Sequence, residues 1–134
     1  GGGADIASKG GEFSVDNVYT GNRILSDQPG RGMLINGGAV IKNNYLKKTN
    51  GSNGIDVYTL GKPVTVAGNY AETKSGAAIY VNGGDHRGLP FQWPNAGEVV
   101  VSNNVAVSYE GSPIKVVNVA HKTISGNKER KGHE

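Results

Sequence analysis

Apolar residues in this chain recur in short alternating groups, not in helical stripes. Met33-Leu34-Ile35, Ile55-Asp56-Val57, Ile79-Tyr80-Val81 and Ile114-Lys115-Val116 are each apolar at the first and third positions, the period of a half-buried strand. A turn of constant form precedes each by ten or eleven residues. It reads apolar or aromatic, any residue, Gly or Asn, then Asn. Its five copies are Tyr19-Thr20-Gly21-Asn22, Ile41-Lys42-Asn43-Asn44, Val66-Ala67-Gly68-Asn69, Val101-Ser102-Asn103-Asn104 and Ile124-Ser125-Gly126-Asn127. The final Asn returns at spacings of 22, 25, 35 and 23. A period near 23 residues is too short for two packed helices with their connections. It fits one winding of a parallel β-solenoid with three short strands and three bends.

Stacking gives each winding the apolar contact it cannot make alone, about 4.8 Å from its neighbour. The expected inward columns are Met33, Ile55, Ile79, Ile114, then Ile35, Val57, Val81, Val116, then Tyr19, Ile41, Val66, Val101, Ile124. The recurring Asn carries a donor and an acceptor on one flat amide, so copies one winding apart can bond along the axis and to turn backbone. The residue before it, Gly or Asn, tolerates the left-handed conformation such a turn needs. The reading is all-β, a parallel β-helix of about five coils over residues 13–127. Residues 1–12 read as a flexible or bent lead-in and 128–134 as a polar tail. Neither end offers an amphipathic cap, so further coils of a longer chain, or a homo-oligomer, are expected to cover the open ends.

The 134 residues include 22 Gly and no Cys, which removes disulfides, thiolate nucleophiles and zinc ribbons. No run of apolar residues is long enough for a spanning helix, and no membrane partner is expected. The net charge of +3 is modest, and the basic segment Lys128-Glu129-Arg130-Lys131 alternates sign without aromatic residues, so nucleic acid is not expected either. The histidines His86, His121 and His133 lack metal-ligand spacing.

The spacing of 35 marks an insertion, residues 83–97, which holds Asp85, His86, Arg87 and the only Trp, Trp93. Rings, a guanidinium and a carboxylate on one loop suit sugar recognition. Leu89, Phe91 and Trp93 could equally fold back as a small satellite core. Beside this loop, strand alternation puts Leu34, Asp56, Tyr80, Lys115 and Asn36, Tyr58, Asn82, Val117 on one outer face. That stripe reads as a carbohydrate groove.

With its Asn turns and strand spacing, the chain resembles the right-handed parallel β-helix proteins of the pectate-lyase type, over roughly residues 13–127. The resemblance implies that the coils wind right-handed, in a secreted carbohydrate-active protein whose substrate, an acidic polysaccharide, lies along that outer face. For a lyase or epimerase it implies a cationic base and a cation, or calcium, to neutralise the uronate. Lys115, His86 and Arg87 stand at matching places as catalytic candidates, with Tyr58 or Tyr80 as the acid. Asp56, Tyr58, Tyr80, Asn82, Asp85 and Trp93 are the substrate-binding candidates. A glycosidase would need two carboxylates, for which Asp56 and Asp85 are the pair available. Asp56, Asp85 and Asn82 could make only a thin calcium site. The alternative is a non-catalytic solenoid: a glycan-binding module, a tailspike segment or an adhesin passenger.

Overall fold

A computed structural model of the chain describes residues 4–7, 17–83 and 98–132. These residues are all-β, with fifteen short strands in three parallel sheets. Numbered in chain order, the first sheet holds β1 (Ala4–Ala7), β4 (Arg31–Asn36), β7 (Ile55–Tyr58), β10 (Ile79–Asn82) and β13 (Ile114–Val117). The second holds β2 (Asn17–Thr20), β5 (Ala39–Lys42), β8 (Val64–Ala67), β11 (Val99–Ser102) and β14 (Lys122–Ser125). The third holds β3 (Arg23–Ser26), β6 (Tyr45–Lys48), β9 (Tyr70–Thr73), β12 (Val105–Ser108) and β15 (Lys128–Lys131). Each strand pairs with the strand three places on, which is a β-solenoid. After β1 the chain returns to the first sheet four times, and β14 and β15 follow the last return, so the expected five coils amount to little more than four complete turns.

The expected columns form in register. Met33, Ile55, Ile79 and Ile114 align, as do Ile35, Val57, Val81 and Val116, and the members up to β10 are fully buried. Tyr19, Ile41, Val66, Val101 and Ile124 align in the second sheet. Ile124 stays 44% exposed because no described winding lies beyond it.

The turn between the second and third sheets is two residues long in every winding. Its first residue is left-handed each time: Gly21, Asn43, Gly68, Asn103 and Gly126 have φ between 56° and 70°. Its second residue is the ladder Asn. Asn22 Nδ2 donates to Asn44 Oδ1 at 2.9 Å, Asn44 to Asn69 at 2.9 Å, Asn69 to Asn104 at 3.0 Å and Asn104 to Asn127 at 2.9 Å. The same oxygens accept the backbone N–H of the preceding ladder residue, and the amides of Asn44, Asn69, Asn104 and Asn127 also donate to a strand carbonyl. Asn44, Asn69 and Asn104 are buried with these groups satisfied.

The other two bends vary in length. First-to-second connections range from the two residues between β4 and β5 to the sixteen between β10 and β11, which contain the insertion. In the third-to-first bend Gly30 and Gly51 have φ of 97°. A Cβ on Gly51 would lie 2.2 Å from the carbonyl oxygen of Gly30, so glycine is required there.

The third sheet has an interior unlike the other two. Its inward columns are Ile24, Leu46, Ala71, Ala106, Glu129 and Ser26, Lys48, Thr73, Ser108, Lys131. The fully buried Lys48 ammonium donates to Asp5 Oδ2 at 2.7 Å, Ser26 Oγ at 3.1 Å and the Gln28 carbonyl at 2.8 Å. Three acceptors match its three protons, the condition for burying an ammonium. Asp5 lies on β1, so part of the expected N-terminal lead-in is a strand locked from inside. Likewise, the segment read as a polar tail supplies β15, because parallel pairing uses backbone groups whatever the side chains. Lys122, Glu129 and Lys131 occupy inward columns there and are exposed, which keeps the face of this winding polar.

Substituting the ladder tests this architecture. Asn69→Ala strands the Asn44 donors and the Ile41 carbonyl, and a loss of about 3 kcal/mol or more in chemical denaturation is expected. Asn69→Asp should be at least as damaging at neutral pH, where the carboxylate faces Asn104 Oδ1. It should recover partly in acid, where a protonated oxygen can donate again.

Candidate functional site

The outer face of the first sheet has the expected columns: Leu34, Asp56, Tyr80, Lys115 and Asn36, Tyr58, Asn82, Val117. Its middle, however, is not a solvated groove. Asp56 is fully buried and Tyr58 only 8% exposed. Arg31 Nε donates to Asp56 Oδ2 at 2.8 Å, Asn53 Nδ2 reaches the same oxygen at 3.4 Å, and the Tyr80 ring meets Tyr58 edge-on at 6.1 Å. Burial pushes the Asp56 carboxyl above its ordinary range despite the restraining bond from Arg31. Desolvation works against the Arg31 charge, yet the Asp56 bond wins and holds its pKa above the ordinary value. Burial also raises the Tyr58 hydroxyl, helped by the Asp56 charge. Asp56 and Tyr58 thus brace the strand, and a ligand on this face meets the neighbours above them.

Those neighbours line a cleft of ≈ 320 Å³ bounded by Asn53, Ala77, Tyr80, Ser112 and Lys115. Lys115 is exposed and makes no ion pair among the described residues. Beside it a directional chain of amides orients Tyr80. Asn118 Nδ2 donates to Asn82 Oδ1 at 3.1 Å, and Asn82 Nδ2 donates to the Tyr80 hydroxyl oxygen at 3.0 Å. With its oxygen already accepting, the Tyr80 hydroxyl has its proton to offer to a ligand.

The structure therefore brings Tyr80, Asn82 and Lys115 together around one cleft and withdraws Asp56 and Tyr58 from it. Asp85, His86, Arg87 and Trp93 lie outside the described residues. Arg31 occupies Asp56 Oδ2, and no group of three metal-ligating side chains forms among the described residues. Arg31, Asn53 and Asn118 were not anticipated. The signal for two of them was positional: Arg31, Asn53, Ala77 and Ser112 each precede the Met33, Ile55, Ile79, Ile114 column by two residues.

The third sheet carries a second polar face. Glu72 accepts from the Tyr70 hydroxyl in a short bond and from the Tyr109 hydroxyl at 3.0 Å, with Lys47 Nζ at 3.8 Å. Burial opposes the Glu72 charge, but the tyrosine bonds outweigh it and hold the carboxyl below its ordinary range. Partial burial, with the same contact behind it, pushes Tyr70 up to about 12.

Comparison with protein-family models, with curated proteins and with solved structures gives no match.

Removing the guanidinium in Arg31→Ala leaves a buried, unpaired Asp56 whose pKa climbs further. The folded state then holds its proton more tightly than the unfolded chain. Stability in this variant should be greatest in acid and fall as the pH rises above the ordinary carboxylate value of 3.8. In Arg31→Ala/Asp56→Asn that fall should disappear, as read by thermal unfolding across pH. On the third sheet, ultraviolet titration should show tyrosine ionising near 12, moving part of the way back towards 10 in Glu72→Gln, where the burial of Tyr70 remains.

Proposed function

We propose that this chain is part of a carbohydrate-active β-helix protein of the pectate-lyase-like group, handling an acidic polysaccharide on the outer face of its first sheet. The observation that carries the reading is the cleft where the Lys115 ammonium, without an ion pair among the described residues, stands beside the oriented Tyr80 hydroxyl. A cation can meet a uronate carboxylate, and a hydroxyl donor and a ring edge can meet the sugar. An extracellular setting fits such a polymer.

In the lyase or epimerase version Lys115 would take the proton next to the uronate carboxyl, with His86 and Arg87 of the insertion as partners and calcium as a further neutraliser. That version asks for a second cation close to Lys115 to neutralise the carboxylate, and for a lowered Lys pKa. The non-catalytic version needs only the cleft. The burial of Asp56 against Arg31 takes it out of the carboxylate pair that a glycosidase would need.

The test is titration with oligouronates by calorimetry, together with the ultraviolet absorbance of unsaturated product. Lys115→Ala should weaken binding by roughly tenfold, the loss of one charge-assisted contact, and Tyr80→Phe by less. Product formation that vanishes in Lys115→Ala supports the lyase version. Unchanged binding in Lys115→Ala would reject this face as the site.

A further inference from the structure

We propose that the outer face of the third sheet carries a second site, for a linear acidic glycan, centred on Arg23, Tyr45 and Lys47. Two outward columns define this face: Arg23, Tyr45, Tyr70, Val105, Lys128 and Leu25, Lys47, Glu72, Val107, Arg130. Across the first two windings they bound a cleft of ≈ 510 Å³, larger than the one beside Lys115. Arg23 is exposed and makes no ion pair among the described residues. The Lys47 side chain is 45% exposed and stands 3.8 Å from Glu72, a loose pairing that leaves its charge available. Glu72 is already bonded by two tyrosine hydroxyls. Between the two cations Leu25 lies 58% exposed, an apolar patch of the size a sugar ring can cover.

The face is also pre-organised. The Arg23 guanidinium sits 4.9 Å from the centre of the Tyr45 ring, and Tyr70 stacks on that ring at 4.9 Å with planes 9° apart. Because β6 runs between β3 and β9, the two contacts occupy opposite faces of Tyr45. The ring therefore fixes Arg23 in place and leaves only its edge and hydroxyl for a ligand. This decides between classes of polyanion. Single-stranded nucleic acid draws much of its affinity from bases stacked on open aromatic faces, and here both faces are taken. Sugars need hydroxyl partners instead, and the exposed Thr49 and Asp27 supply them at the rim. The Asp27 carboxylate can accept from sugar hydroxyls, which a DNA strand lacks along its chain. Further along the same columns Lys128 and Arg130 are exposed, four windings or about 19 Å from Arg23 and Leu25. An extended acidic chain lying parallel to the solenoid axis would meet positive charge at both ends of this track.

The experiment is amide chemical-shift mapping with an oligogalacturonate, alongside an oligothymidylate of equal charge at equal salt. The oligouronate should shift amides of residues 23–27 and 45–49, a set separate from any around Tyr80 and Lys115. Arg23→Ala/Lys47→Ala should weaken the third-sheet response by roughly tenfold or more. Lys115→Ala should leave it unchanged, so failure of this site and failure of the first-sheet reading register at different residues. Both substituted positions are exposed, and Arg23→Gln/Lys47→Gln repeats the test with the side-chain stems retained. Absence of third-sheet shifts, an undiminished response in both double variants, or equal shifts with the oligothymidylate would overturn the proposal.

Discussion

One contact repeated along an axis holds the rest of this structure in place: the carboxamide of each ladder Asn bonded to the next. The apolar columns of the first two sheets supply adhesion between windings, but burial is non-directional and would tolerate a shift. The ladder does not. Each Asn Oδ1 accepts from both the side chain and the backbone of the winding before it, so a slip of one residue breaks two bonds per turn and leaves buried donors unsatisfied. The left-handed residue that precedes it keeps the corner two residues long, and the constancy of that corner contrasts with the variable lengths of the other two.

Once windings are locked in translation, a surface site becomes a property of a column. Side chains one period apart stand a strand spacing from each other, so three outer faces each display a periodic row of functional groups. On the first sheet the row begins with a buried ion pair and opens into a cleft around Lys115. On the third it becomes a stack of guanidinium and two rings flanked by cations. The long insertion enters through a variable corner, where extra residues leave the stacking undisturbed.

The two most deeply buried charged side chains are handled differently. Lys48 faces the interior and is matched by a carboxylate, a hydroxyl and a carbonyl. Asp56 faces outward but is enclosed, and Arg31 and Asn53 both donate to one of its oxygens. The first arrangement ties β1 to the body of the solenoid. The second leaves a carboxyl whose ionisation is opposed by burial and favoured by the bond from Arg31, with burial the stronger of the two.

The repeat of β-branched residues and of Asn was enough by itself to establish the solenoid, the inward columns of two sheets, the ladder and the outward rows carrying Tyr80, Asn82 and Lys115. Those features depend on period and alternation, which are linear properties of the chain. The third sheet was not legible, because its inward residues are small or polar (Ala71, Ala106, Lys48, Thr73, Ser108) and show no apolar alternation. Nor were the strands formed by Ala4–Ala7 and Lys128–Lys131, which backbone pairing creates without apolar side chains. Tertiary structure alone decided that Asp56, though outward by alternation, is buried, since alternation says which way a side chain leaves the sheet and nothing about what folds over it. It alone brought Arg31 to Asp56 and set Arg23 and Tyr70 on opposite faces of Tyr45, because contacts between windings depend on where separate corners come to rest beside one another.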